Sequence, residues 1–99
     1  MPRLTCSKIV YYSHADEAGF FAALSVIKAI KRVEGVEDAL HLTVPTRLSE
    51  SSLRDLLGVF YRFGIDMTQL RQFETPQNRG WFCDKKAFWF DHVFKSKSP

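Results

Sequence analysis

The segment YYSHADEAGFF, residues 11–21, decides the architecture of this 99-residue chain. The residues that lead into it, 8–13 (KIVYYS), are β-branched and aromatic, and they predict a strand that ends at Ser13. Residues 16–30 carry apolar side chains at helical spacing, which predicts a helix directly after that strand. The apolar stripe of this helix is broad enough to pack against a sheet.

Four side chains of the kinds used in hydrolytic catalysis lie within this segment: Ser13, His14, Asp16 and Glu17. Serine hydrolases take these groups from separated segments and hold the serine in a G-x-S-x-G elbow, a motif that this sequence lacks. A helix start explains the same residues, with Ser13 accepting the amide of residue 16 and Asp16 reaching back to the amide of Ser13. We therefore interpret Ser13 and Asp16 as helix caps, which leaves His14 without a structural role.

A hairpin is predicted after this helix. Residues 31–34 are strand-like, residues 34–38 (EGVED) indicate a turn in which Gly35 takes positive φ, and residues 39–44 alternate apolar and polar side chains. The first strand, the helix and this hairpin predict a split β-α-β arrangement.

The second half of the chain predicts helices. Ser49 is a typical N-cap for a second helix, and Gly64 stands where a C′ glycine belongs. Asp66 and Asp84 are expected to cap two further helices. The order β-α-β-β-α-α-α predicts an α+β fold, in which one helix packs a three-stranded sheet and a C-terminal helical subdomain follows.

Length and composition suit a single domain, predicted over residues 1–94 with a flexible basic tail at 95–99. The net charge of +3 is mild for a nucleic-acid-binding protein. No secretory or membrane-spanning apolar run is evident, so we expect a cytoplasmic protein without membrane contact. Cys6 and Cys83 are then expected to be reduced thiols.

Metal and cofactor sites are not predicted. The histidines and cysteines lack the spacing of metal ligands, and the five glycines never cluster into a phosphate-binding loop. These observations predict neither a metal ion nor a cofactor.

Arginines interleaved with aromatic residues mark the C-terminal third as the candidate binding region. Such a mixture is typical of a protein interface, of a nucleic-acid clamp, or of a core held by arginine–carboxylate pairs. The consecutive aromatics Phe88, Trp89 and Phe90 exceed what one helix face can bury, so this helix is either sandwiched or partly a contact surface. The candidate binding residues are His14, Arg62, Gln69, Arg71, Arg79, Trp81 and Trp89.

Three motifs resemble those of a family of small, stand-alone bacterial proteins: a YYS-x-x-DE-x-x-FF opening, a GIDM-x-QL-x-x-F middle and a WF…W…VF close. The resemblance covers almost the whole chain and implies a bacterial single-domain protein. We expect a non-enzymatic domain that binds another protein or itself, of the immunity, antitoxin or regulatory type. The alternatives are weak RNA or single-stranded DNA binding, and an enzyme that uses residues 13–17.

Overall fold

The computed structural model describes residues 1–7 and 9–95. It confirms the α+β class, with a three-stranded sheet and a C-terminal helical region. The elements are β1 (Arg3–Ser7), α1 (His14–Ser25), β2 (Arg32–Val36), β3 (Ala39–Thr43), α2 (Glu50–Phe63), a 3₁₀ helix (Met67–Phe73), α3 (Arg79–Phe82) and α4 (Phe90–Phe94).

The central strand of the sheet is β3, which pairs antiparallel with β1 on one side and with β2 on the other. β1 and β2 therefore run in the same direction and are joined through α1, which confirms the split β-α-β arrangement. Leu4 and Cys6 of β1 and Leu42 of β3 are buried under the helices. On the opposite face the Thr5 hydroxyl lies 3.3 Å from Nδ1 of His41.

One hydrophobic core joins the sheet to the helices. Because the outer face of the sheet carries polar side chains, the C-terminal helices extend the helical layer and do not form a second one. The largest fully buried side chains come from both layers, from the strands and from the helical segments: Phe20, Phe60, Phe82, Leu4, Leu42, Leu53, Leu56, Leu57 and Leu70.

The helix starts are capped by the predicted serines. Ser13 Oγ accepts the Asp16 amide at 3.2 Å, and Ser49 Oγ accepts the Ser52 amide at 3.1 Å. Asp16 bonds differently from the prediction, because its carboxylate accepts the Tyr12 amide, at 3.0 Å, and not that of Ser13. The segment nevertheless forms the helix start that its residue types favour.

The end of α2 is a left-handed glycine cap. Gly64 has φ of 69°, and the Ile65 amide bonds back to the Phe60 carbonyl at 2.9 Å. Asp66 then caps the 3₁₀ helix by accepting the Thr68 amide at 3.0 Å. The 3₁₀ helix that follows this cap packs against α2.

The prediction that Asp84 caps the last helix is wrong. Asp84 accepts the Lys86 amide at 2.9 Å in a turn, whereas α4 begins six residues later at Phe90. The N-cap of α4 is Trp89, whose side chain makes no capping bond. An aspartate is favoured in turns as well as at caps, so its type alone does not separate the two.

The first strand lies earlier in the chain than predicted. Residues 9–13 are not a strand, and Lys8 lies outside the described residues. β1 is RLTCS, whose alternation buries Leu4 and Cys6 against β3. Strand propensity favours residues 8–13, but pairing with β3 selects the alternating segment before them.

The first helix and the hairpin turn also depart from prediction. α1 ends at Ser25, although its helix was predicted to continue to residue 30. Gly35 lies within β2, and the residue with positive φ is Glu37, at 58°. The basic tail was predicted over residues 95–99, of which 96–99 lie outside the described residues.

Candidate functional site: an aromatic patch beside a groove

Gln69, a predicted binding residue, instead closes the outer edge of β1. Its Oε1 accepts the Thr5 amide at 2.8 Å, and its Nε2 donates to the Thr5 carbonyl at 2.9 Å. The same Nε2 donates to the Asp66 carbonyl at 2.8 Å. The side-chain amide therefore takes the place of a neighbouring strand at Thr5.

Arg71 and Arg79, two of the three predicted arginine candidates, have partners within the chain. Arg71 donates through Nε to the Val93 carbonyl, which ties the 3₁₀ helix to α4. Arg79 pairs with Glu74 at 2.7 Å. These two contacts correspond to the core-and-pairing interpretation of the arginine pattern.

The two tryptophans have internal partners as well. The Arg54 guanidinium lies 4.2 Å from the ring centroid of Trp81, a cation–π contact that occupies a face of the indole. Trp89 is buried and donates its indole N–H to the Phe82 carbonyl at 2.7 Å. A base could not stack on that face of Trp81 without displacing Arg54.

His14 and Arg62 remain on the surface. His14 is the exposed first residue of α1 and is not among the residues that line the neighbouring hollow. Arg62 lines that hollow together with Tyr12 and Asp16. Within residues 1–7 and 9–95, Arg62 makes no salt bridge.

A cluster of exposed aromatic rings lies near the end of α2. Tyr61, Phe88 and His92 form what we call the aromatic patch: the Tyr61 ring lies 4.9 Å from that of Phe88 and 5.2 Å from that of His92, both edge-on. Tyr61 is 49% exposed and Phe88 52% exposed. Two large rings in mutual contact that stay half in water are typical of a protein contact surface.

Both exposed rings of the aromatic patch are held in place by contacts within the fold. Tyr61 belongs to α2, whose C-terminus is held by the Gly64 cap. The Phe88 ring packs edge-on against Trp89 at 5.0 Å, and Trp89 is anchored by its buried hydrogen bond to Phe82. Tyr61 is therefore held on a capped helix and Phe88 against a buried ring, which reduces the entropy lost when a partner binds.

An open groove of about 990 Å³ adjoins the patch, between the end of α2, the 3₁₀ helix and α4. Its walls combine apolar and polar groups of both charge signs. Asp91 and Lys95 at its rim pair with each other at 3.4 Å. The residues that line it are Ser7, Phe60, Tyr61, Gly64, Ile65, Asp66, Met67, Thr68, Arg71, Asp91, His92 and Lys95.

The charged groups of this groove are paired, and in the part of the chain that the structure describes they are not arranged as a metal site. Arg71 donates to the Val93 carbonyl, and Lys95 makes an exposed surface pair with Asp91. Among the described residues, no three of His, Cys, Asp and Glu are grouped in a way that could hold a metal ion. Mixed apolar and polar walls next to exposed aromatic rings are the usual composition of a protein-binding surface.

The two cysteines are free thiols with different surroundings. Burial raises the pKa of the Cys6 thiol to about 11. Cys83 is half-buried, and desolvation, with a contribution from Glu74, raises the pKa of its thiol as well. Both shifts favour the unreactive protonated form, so neither cysteine has the lowered pKa of a catalytic thiol.

Tyr61 and Phe88 were not among the predicted site residues. The available signal was the run Phe88, Trp89 and Phe90, whose size exceeds one helix face. The structure divides this run, because Trp89 is buried, Phe90 is half-buried and Phe88 is exposed. Which of the three faces solvent depends on the position of α4 and cannot be obtained from the sequence pattern.

Comparison of the chain with protein-family models, with curated proteins and with solved structures finds no match. Within the described part of the chain, no helix has the length and apolar character needed to cross a membrane.

Proposed function

We propose that this chain is a non-enzymatic protein-binding domain that holds a partner protein on the aromatic patch and the adjoining groove. The single observation that carries the proposal is the pair of exposed, touching rings of Tyr61 and Phe88 beside an open groove. Tyrosine is enriched among the residues that dominate binding energy at interfaces, and a fully desolvated aromatic pair is a typical anchor.

The partner expected from this surface is a protein segment with an apolar side chain for the two rings and polar groups for the groove. Immunity, antitoxin or regulatory proteins work by such stoichiometric contacts, and we place the chain in this group. The proposal is independent of residues 13–17, which form the start of α1.

The test is capture from the source cell with the full chain as bait, followed by mass spectrometry. The double variant Tyr61→Ala/Phe88→Ala removes both rings. Tyr12→Ala is the matched control, because Tyr12 is 89% exposed and lies outside the patch. We expect one partner that the unmodified chain and Tyr12→Ala retain and the double variant loses, with affinity reduced about 30-fold or more.

Two results would contradict this assignment. One is a partner that the double variant binds as tightly as the unmodified chain does. The other is the absence of any partner from a lysate in which the bait is folded. Circular dichroism and urea unfolding of the double variant separate loss of the surface from loss of the fold.

A further inference from the structure

The second edge of the sheet, along β2, has no neighbour within residues 1–7 and 9–95, because β2 pairs with β3 alone. The strand register shows which backbone groups of β2 point to this free edge. The Thr5 amide points to Gln69 and so away from β3, and both Thr5 and Glu34 lie opposite His41. Because N–H groups alternate along a strand, those of Val33 and Gly35 point to the open edge.

Apolar side chains accompany these free backbone groups. Val33 is 43% exposed and Val36 48% exposed. A hollow of about 270 Å³ lies beside this edge, lined in part by Phe21, Ile30 and Val33. An open strand edge next to an apolar hollow is the arrangement to which another strand adds.

We propose that the occupant of this edge is a second copy of the chain, paired antiparallel with β2 about a twofold axis through Val33. In this register Val33 lies opposite its own copy, where the outward N–H and C=O groups of the two strands bond each other. Arg32 lies opposite Glu34 of the second copy, and Glu34 opposite its Arg32. Arg32 and Glu34 of the two copies thus form a square in which positive and negative side chains alternate.

The charges select this register over its neighbour. Arg32 and Glu34 share one face of β2 and already pair within the chain at 3.3 Å. An axis through Glu34 would place two glutamates directly opposite each other, which is destabilising on a sheet. An axis through Val33 brings together opposite charges on one face and two valines on the other, so β2 is complementary to itself.

Charge reversal tests the proposal, with sedimentation velocity of the full chain as the readout. We expect a reversible dimer whose association constant falls about tenfold or more in Arg32→Glu and in Glu34→Arg. The double variant Arg32→Glu/Glu34→Arg restores the complementary square and should recover the association. Arg3→Glu, on the opposite edge strand, is the matched control and should leave it unchanged.

Cysteine cross-linking tests the register itself. Directly paired Cα atoms lie about 5.5 Å apart, within the range that a disulfide spans, so oxidised Val33→Cys should form a covalent dimer. Gly35→Cys is the control, since Gly35 of the two copies would lie about 13 Å apart. Equal cross-linking of the two variants would overturn the register.

Two further outcomes would overturn the pairing: a chain that stays monomeric up to about 1 mM, where even weak complexes are populated, or a double reversal that does not recover association. The dimer does not depend on the proposed partner-binding function. Tyr61→Ala/Phe88→Ala should keep the dimer, and Arg32→Glu should keep the partner.

Discussion

The two edges of the sheet are completed in different ways. At β1 the Gln69 side chain bonds both backbone groups of Thr5, so no strand can add at that position without displacing it. At β2 the outward groups of Val33 and Gly35 have no such cover in the described part of the chain. The closed edge therefore stabilises the monomer, and the open edge is the one available for association.

Charge provides the second difference between the edges. An open edge invites random pairing, and charged side chains are the usual protection against it. On β2 the charged side chains of Arg32 and Glu34 oppose self-pairing about an axis through Glu34 and favour self-pairing about an axis through Val33. An edge of this kind can be safe from aggregation and still specific for one partner orientation.

The largest expected effect comes from breaking the closed edge. Gln69→Leu leaves the Thr5 N–H and C=O without their partners in a half-buried position. Two unpaired backbone groups should lower the free energy of unfolding by about 3 kcal/mol, measured by urea denaturation.

The matched control for that variant is Gln72→Leu. Gln72 is exposed, and its side chain donates to the Gln69 carbonyl at 2.8 Å within the same 3₁₀ helix. Water can replace that bond, so we expect a loss below about 0.5 kcal/mol. Equal losses in the two variants would show that the β1 edge does not depend on Gln69.

The second-largest expected effect concerns Cys6, whose side chain is buried on the core face of β1. Burial raises the Cys6 pKa from 9.0 to about 11, so the folded chain holds this proton more tightly than the unfolded chain does. The resulting stability is fully present below pH 9 and is lost as the pH rises to about 11. The loss should reach about 2.5 kcal/mol over that interval.

Cys6→Val removes this titration and should flatten the loss of stability between pH 9 and pH 11 by that amount. Adding Val36→Cys to Cys6→Val places a thiol at an exposed position of β2 instead. This variant should not restore the dependence of the unfolding free energy on pH. A slope in Cys6→Val as steep as in the unmodified chain would contradict the assignment to Cys6. Urea denaturation at a series of pH values measures all three chains.

Much of the fold could be predicted from the sequence, because several elements carry local signals. Ser49 and Gly64 mark the ends of α2 through chemistry that acts within one helical turn. The order of the three strands, α1, α2 and the short helix after Gly64 follows from residue pattern and caps, whereas α3 was not predicted. The position of β1 could not be obtained in this way, since residues 8–13 have the stronger strand propensity and pairing with β3 decides between the two segments.

The candidate site was less predictable than the fold. Gln69 and Trp81 look like free binding groups in the sequence, and each acquires an internal partner, Thr5 and Arg54, that lies far away along the chain. Phe88 is exposed only because Trp89 occupies the buried position. Each of these outcomes depends on long-range packing, which residue type and spacing do not encode.

The smallest expected effect comes from the turn that joins β2 to β3. Glu37 holds φ at 58°, a left-handed conformation that an L-residue with a side chain adopts at a cost of about 1–2 kcal/mol. Glu37→Gly relieves this strain but adds freedom to the unfolded chain, so we expect a net stabilisation of about 0.5–1 kcal/mol. Asp38→Gly, at the adjacent position without positive φ, only adds conformational freedom to the unfolded chain and should be neutral or destabilising.

If Glu37→Gly stabilises the hairpin, it should also strengthen the proposed dimer slightly, because β2 would be better ordered at its open edge. Urea denaturation and sedimentation of both variants measure the two effects, and greater stabilisation by Asp38→Gly would contradict the assignment of strain to Glu37.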